Sequence, residues 1–451
     1  MAHVLAWAGE RGYATRRDDA GNLAVDVPAT AGRDAAPVVT LQGHLDMVCE
    51  RDPDSPYDAR AGRIHVVRDG DWLHAEGTTL GADNGVAIAA MLALAEGADA
   101  PHGPLELLMT VAEEVGMAGA AALAPELIRG TVLLNLDSEE DATFTVGCAG
   151  GVDTILRLDG PREPLGAGDV ALRVTVSGGR GGHSGGDIDA GRANAIKVLA
   201  RALSRPGELR LASLDGGASR NAIPRGASAV VVVAATEAER TSDVISQAGA
   251  EAAGAYAESD PGVHVSLDDA GPELPHDAWT AAATSRIRDL VAALPVGPLG
   301  ISADFPGVVE TSSSLGVAET EGGRLTLHNL SRSANDALMP EVTGSIAAAG
   351  RLAGAEVEHG GRYPGWRPDL DSRALATAKA VHERLFGSPP HVSLTHGGLE
   401  TAIIGARKPG LDMLSLGPQI EGPHAPGERL HAGSAERFMR LLAALVDELS
   451  R

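Results

Sequence analysis

The stretch LLMTVAEEVGMAGA (107–120) carries an apolar run into two adjacent glutamates, Glu113 and Glu114. A short apolar run bounded by polar residues reads as a buried strand opening into a loop. An unpartnered buried carboxylate is costly, and two side by side also repel each other. Whatever offsets that charge must come from other parts of the chain.

The neighbouring segments repeat the pattern. PVVTLQGHLDMV (37–48) is β-branched and apolar, and NGVAIAAMLALAEG (84–97) has helical composition with a stop signal at Gly97. PLELLMTVAEE (104–114) and TVLLNLDSEE (131–140) read as two more strands ending on acids. Strand–helix–strand alternation with short loops implies an α/β layer with parallel strands.

After GCAGG (147–151) the order becomes strand, helix, strand, strand, helix, strand, running from DVALRVTVSG to GVHVSL. That is the split ferredoxin-like unit. A second passage follows: helix AWTAAATSRIRDLVAAL, a hairpin around AETEGGRLTLHNL, helix MPEVTGSIAAAGRLAG and strand AEVEH. We therefore expect two related modules in tandem over 153–361, forming an α+β lid. It would be inserted into a catalytic layer made of 1–152 and 362–451, which ends in the helix SAERFMRLLAALVDELS.

A net charge of −24, with basic residues that are nearly all Arg and form no stripe, argues against nucleic acid and against an anionic membrane surface. Acidity of this degree favours solubility and would suit a protein that holds cations. Cys49 and Cys148 are the only cysteines, so neither a disulfide framework nor a Cys-rich zinc motif is available. The first residues, MAHVLAWAGERGYATRR, lack an apolar core followed by a cleavage site, and no run is long enough to span a bilayer. These features point to a cytoplasmic protein.

Five places could carry chemistry. In GHLD, a strand would point His44 and Asp46 to one side, letting the carboxylate take one ring N–H and leave the other nitrogen for a metal; a surface hydrogen bond fits equally. Asp83 lies in the glycine-flanked turn of GTTLGADNG, where helix capping by Asp83 or Asn84 is the plainer reading. Asp137 ends an apolar strand, at the carboxyl edge where α/β sheets place ligands. His424 sits between two prolines in GPHAPGERLH, in what reads as a rigid extended segment, and spacing does not separate it from His431. With the glutamate pair, these include two histidines and three carboxylates, the ligand types of a two-zinc site with one bridging carboxylate. Two dications would offset the buried acids.

In this order, LQGHLDMV, GTTLGADNG, EEVGMAGA, NLDSEE, CAGG, GGHSGGDI, RNAIPR, YPGWRPD and GPHAPGE resemble the pattern of metallopeptidase family M20, and within it the aminoacyl-histidine dipeptidases. The resemblance implies a zinc-peptidase-type catalytic domain, a mixed sheet flanked by helices, with the lid inserted. It implies that His44 and Asp137 bind one metal, Glu114 and His424 the other, and that Asp83 bridges both and is followed by a cis peptide. It chooses His424 over His431. Asp46 would orient His44, and Glu113 would be the general base toward a metal-bridging water. His183 in GGHSGG would polarise the scissile carbonyl, and Asn221 and Arg332 would hold a substrate carboxylate or oxyanion. Gly398 and Glu400 in HGGLE would line the pocket, Glu400 facing the substrate's α-amino group.

The cofactor implied is a pair of divalent ions, Zn²⁺ with Mn²⁺ or Co²⁺ as alternatives. The implied partner is a small unblocked dipeptide of Xaa-His type, and the resemblance also allows a homodimer. Other M20 activities (tripeptide aminopeptidase, carboxypeptidase, N-acyl-amino-acid deacylase) are the alternative, and a catalytically dead metal-stabilised binding protein is another. The retained base Glu113 speaks against the last. Relatives of this type carry a further N-terminal segment with an additional helix, whereas this chain begins within what resembles the following one.

Overall fold

Strands Val39–His44, Leu105–Thr110 and Val132–Asn135 are buried along their whole lengths. Strands apolar on both faces need a sheet covered on both sides, which is the usual setting of parallel strands. In the computed structural model the three run parallel, joined by Asp412–Ser415, at the centre of an eight-stranded mixed sheet. Across the sheet the order is 14–17, 23–27, 105–110, 39–44, 132–135, 412–415, 143–148 and 391–395. Helices Ala82–Glu96 and Arg373–Phe386 both pack against Ala432–Leu449, and the short helix Ala118–Ala122 packs with Glu400–Arg407. The fold is thus α/β, with the carboxyl ends of its parallel strands leading into the acidic turns.

The structure describes residues 1–97, 100–205, 207–270 and 275–451. They divide into two units, one comprising Met1–Cys148, Trp366–Thr395 and Leu399–Arg451, the other Ala149–Gly365 with His396–Gly398. In the first unit the two ends of the long excursion are tied by reciprocal backbone hydrogen bonds between Cys148 and Trp366, at 3.0 and 2.9 Å.

The second unit corrects the tandem arrangement expected from sequence. Its main sheet runs in the order 264–269, 169–177, 227–234, 210–216, 309–321, 324–333, 150–158 and 356–363. The first four strands, with helices Ala195–Ala202 and Ala238–Gly254, form one ferredoxin-like module. The last four, with helices Ala281–Ala293 and Met339–Ala353, form another, whose first strand is Gly150–Leu158. That strand precedes the entire first module, so the modules are nested, the inner one inserted after the outer one's opening strand. The glycines of GCAGG disguised this strand as a break. The modules join at the Gly216–Ala318 pair, and Lys197 of the inner module donates to the carbonyls of Val291, Ala292 and Leu294 where an outer-module helix ends. Carbonyls at a helix C-terminus lack intrahelical donors, and the Lys197 ammonium supplies one.

One glycine in the central sheet is required by packing. A Cβ on Gly43 would stand 2.3 Å from Asn84 Oδ1 and 3.0 Å from the Ala87 side chain, so only glycine lets helix Ala82–Glu96 approach the strand that ends at His44. Gly43→Ala is expected to destabilise the first unit by about 1–3 kcal/mol through overpacking, measured as a lower urea midpoint with an unchanged m-value.

Candidate metal centre

Strand Val39–His44 stops at His44, and its side chain is buried at the sheet's carboxyl edge. His44 Nε2 lies 2.9 Å from Asp83 Oδ1 and 3.5 Å from Asp137 Oδ1. On the other side, His424 Nε2 lies 2.9 Å from Asp83 Oδ2 and 3.1 Å from Glu114 Oε2. Each oxygen of one carboxylate therefore faces a different histidine. In each of the sets His44–Asp83–Asp137, Asp83–Glu114–His424 and His44–Glu113–Glu114, donor atoms lie within 4.8 Å of one another, close enough to hold a metal ion. His431, the sequence competitor of His424, instead accepts the Ser434 amide at the start of the last helix and meets Trp72 edge-on.

The structure alters two local expectations. Asp46 lies beyond the end of the strand, and His44 Nδ1 bonds to its backbone carbonyl at 3.0 Å, while the carboxylate stands 3.7 Å away. The carboxylate itself accepts the amides of Glu113 (3.1 Å) and Glu114 (3.0 Å), so Asp46 fixes the turn that carries both glutamates. That turn begins at Ala112, a non-glycine with φ of 55°. His424, expected in an extended segment, sits in a turn with φ of 64°. Left-handed backbone at a residue with a Cβ is sparsely populated and clusters at functional sites. The Asp83–Asn84 peptide is cis.

Asn84 was not anticipated beyond a capping role. Its Oδ1 accepts the His44 amide at 3.2 Å and its Nδ2 donates to the Leu136 carbonyl at 3.0 Å, so it ties together the strand ends that bear His44 and Asp137. Glu139 adds another acid nearby, its carboxyl pushed up to about 7 by burial and by Asp83 and Asp137. The acids of NLDSEE were a signal for it, but nothing in their spacing says which one turns inward.

The electrostatics follow from this crowding. Burial raises the Glu113 carboxyl to about 8, with Asp137, Glu400 and Glu114 adding to it. Burial likewise brings Asp137 to about 6 against the pull of His44. For Asp46 burial acts upward, but His44 and the two glutamate amides outweigh it and hold the group at about 2. Asp83 and Glu114 draw His424 up to about 10. The set is thus rich in anions, and imidazole nitrogens with carboxylate oxygens are suitable donors for Zn²⁺, Mn²⁺ or Co²⁺. Glu114 Oε1 is buried and has no hydrogen-bond partner among the described residues, which fits an oxygen directed at a cation.

Glu400 is completely buried at the start of its helix. Its Oε2 accepts from Gln42 (2.7 Å) and Thr110 (2.5 Å), and burial pushes it up to about 7. It lies inside the protein beneath the strand ends, which does not match the expected contact with a substrate amine.

In the second unit, His183 Nδ1 accepts the amides of Gly185 (3.3 Å) and Gly186 (3.1 Å). In the neutral ring the hydrogen is then on Nε2, and this atom is 3.4 Å from Arg332 Nη2. Burial and Arg332 hold the His183 pKa below its usual range. Arg332 is 4% exposed, donates to Tyr363 Oη at 2.6 Å, and forms no ion pair with a carboxylate among the described residues. His396 bonds Ser312 through Nε2 at 2.7 Å and is held at about 4 by burial and Arg332. Asn221 is exposed and offers its carbonyl to the Ser184 amide, and Gly398 ends the half-buried segment that follows His396.

The model of peptidase family M20/M25/M40 matches residues 40–448. The cytosol non-specific dipeptidase of Escherichia coli (strain K12) is 38% identical over 99% of this chain and 92% of that protein. The crystal structure of aminoacylhistidine dipeptidase from Vibrio alginolyticus matches with a TM-score of 0.89 at 35% identity, covering 99% of this chain and 91% of that one. Aminopeptidase PepT from Bacillus cereus shares the fold, with a TM-score of 0.57 at 16% identity over 100% of this chain and 92% of that one. A family match spanning most of the sequence, together with a relative alike from end to end, shows that this chain belongs to peptidase family M20/M25/M40.

Proposed function

We propose that the chain is a metallodipeptidase that hydrolyses unblocked dipeptides, Xaa-His dipeptides of the carnosine type among them, with two divalent ions, foremost Zn²⁺. The observation that carries this reading is Asp83, whose Oδ1 lies 2.9 Å from His44 and whose Oδ2 lies 2.9 Å from His424. His44, Asp83 and Asp137 would hold one ion, and Asp83, Glu114 and His424 the other. When bound, such a pair supplies Lewis acidity toward a peptide carbonyl and makes water a better nucleophile near neutral pH. The kinship with proteins named cytosol non-specific dipeptidase and aminoacylhistidine dipeptidase favours a dipeptide over the other substrates of the family.

Glu113 is the general base. Its carboxyl sits among acids whose field favours taking up a proton, and its backbone is pinned by Asp46, so it can accept a proton from water and return it to the leaving amine. Glu114, its neighbour, turns to His424 and serves as ligand. In the second unit, the N–H of His183 and the guanidinium of Arg332 are two donors facing one space, and Arg332 has no anionic partner of its own among the described residues. That suits a carboxylate or a developing oxyanion of the peptide, a role in which Asn221 and Gly398 are further candidates. The location we infer is the cytoplasm, in keeping with the relative named a cytosol dipeptidase.

The test is a panel of Xaa-His and other dipeptides, a tripeptide and an N-acyl amino acid, assayed after chelation and after adding back Zn²⁺, Mn²⁺ or Co²⁺. Release of histidine that chelation abolishes and metal restores is the expected result; turnover of the acyl amino acid alone would overturn the reading. Glu113→Gln is expected to lower kcat by roughly 10²–10⁴-fold while metal analysis still finds two ions. Arg332→Ala is expected to cost about 1.5–3 kcal/mol of charge-assisted binding, seen as a lower kcat/KM for free dipeptides. Dipeptide amides, which lack the carboxylate, should be far less affected.

A further inference from the structure

Glu428 follows His424 by four residues and is 2% exposed. Its Oε2 accepts the amides of Leu80 (2.8 Å) and Gly81 (2.9 Å), and its Oε1 those of Ala82 (2.7 Å) and Asp83 (3.3 Å). The four amides belong to the turn that opens helix Ala82–Glu96 and presents Asp83. A carboxylate there satisfies orphan N–H groups and meets the positive end of the helix dipole. Capping alone does not require the carboxylate to come from a residue 345 positions away. Its source is the loop that presents His424, between strands Ile420–Glu421 and Arg429–His431. Glu428 therefore ties together the backbone of two members of one donor set.

The two sides of Asp83 are held by different residues. Upstream, Glu428 links the turn to the His424 loop. Downstream, Asn84 links it to the His44 amide and the Leu136 carbonyl, the strand ends of the other donor set. We propose that Glu428 is a positioning residue that sets the Asp83–Glu114–His424 half of the centre selectively, by holding the His424 loop in register with the Asp83 turn, while Asn84 sets the His44–Asp137 half. Charge and shape both matter: a glutamine would turn an NH₂ group toward two backbone N–H donors that need an acceptor. The inference rests on the two-ion reading above.

The experiment uses the full chain stripped with chelator and titrated with Zn²⁺ by calorimetry and with Co²⁺ by visible absorption, with thermal melts of each metal-free protein. Wild type is expected to take up two ions. Glu428→Gln should bind one ion as wild type does and the other at least about tenfold more weakly, and His424→Ala added to it should weaken that same ion little further. Asn84→Ala should weaken the opposite ion. A wild type that binds fewer than two ions would sink the two-ion reading itself. A wild type that binds two, with Glu428→Gln binding both unchanged or losing both in step with its melting temperature, would overturn the role of Glu428 alone. Should Glu428→Gln not fold, Glu428→Asp decides by the same measurement: selective loss of one ion supports the assignment, and equal affinity for both overturns it.

Discussion

One carboxylate with two histidines to serve is the constraint around which the first unit is organised. Asp83 must present an oxygen to His44, 39 residues before it, and another to His424, 341 residues after it. That requirement fixes where three elements end. The central strand must stop at His44, the helix beginning at Ala82 must close on Gly43 without a side chain between them, and the hairpin loop carrying His424 must return to the same turn. Parallel strands suit the task because their carboxyl ends all open on one edge, so His44, the glutamate pair and Asp137 emerge together.

The centre gathers like charges, and the surrounding chain answers them by hydrogen bonding. Two amides and the nearby histidine outweigh burial and keep Asp46 ionised, and Glu428 accepts four backbone amides. Glu113 has no such support on its carboxyl group among the described residues, and burial among acids raises it. Adjacent glutamates thus differ in setting: Glu114 faces a histidine, whereas Glu113 sits among acids that favour its protonated form. Beneath them, Gln42 bridges Glu400 and Asn135, so the buried polar layer under the strand ends continues across three strands and a helix.

The second unit solves a different problem with the opposite charge. Arg332 is buried on a sheet strand, donates to a tyrosine hydroxyl, and burial together with its field lowers the proton affinity of His183 and His396. No carboxylate among the described residues pairs with it, and a buried guanidinium without an anion is costly. Nesting of the two modules places Gly150–Leu158 beside the strand that carries Arg332, the register pairing Arg332 with Gly151.

How much of this was legible in the amino-acid sequence depends on range. Apolar runs ending in acids specified the parallel strands, and the βαββαβ order specified the modules, because backbone periodicity is local and survives in one dimension. The ordered motifs gathered the candidates His44, Asp83, Glu113, Glu114, Asp137 and His424. Packing departs from what they implied in three places: Asp46 holds the glutamate turn more than His44, Glu400 is buried beneath the strand ends, and the modules are nested rather than in tandem. It also shows that His431 caps a helix. The roles of Asn84 and Glu428 belong to this second group. Each acts through hydrogen bonds between residues far apart in the chain, and a one-dimensional string carries residue type and spacing but not which distant amide a carboxylate will face.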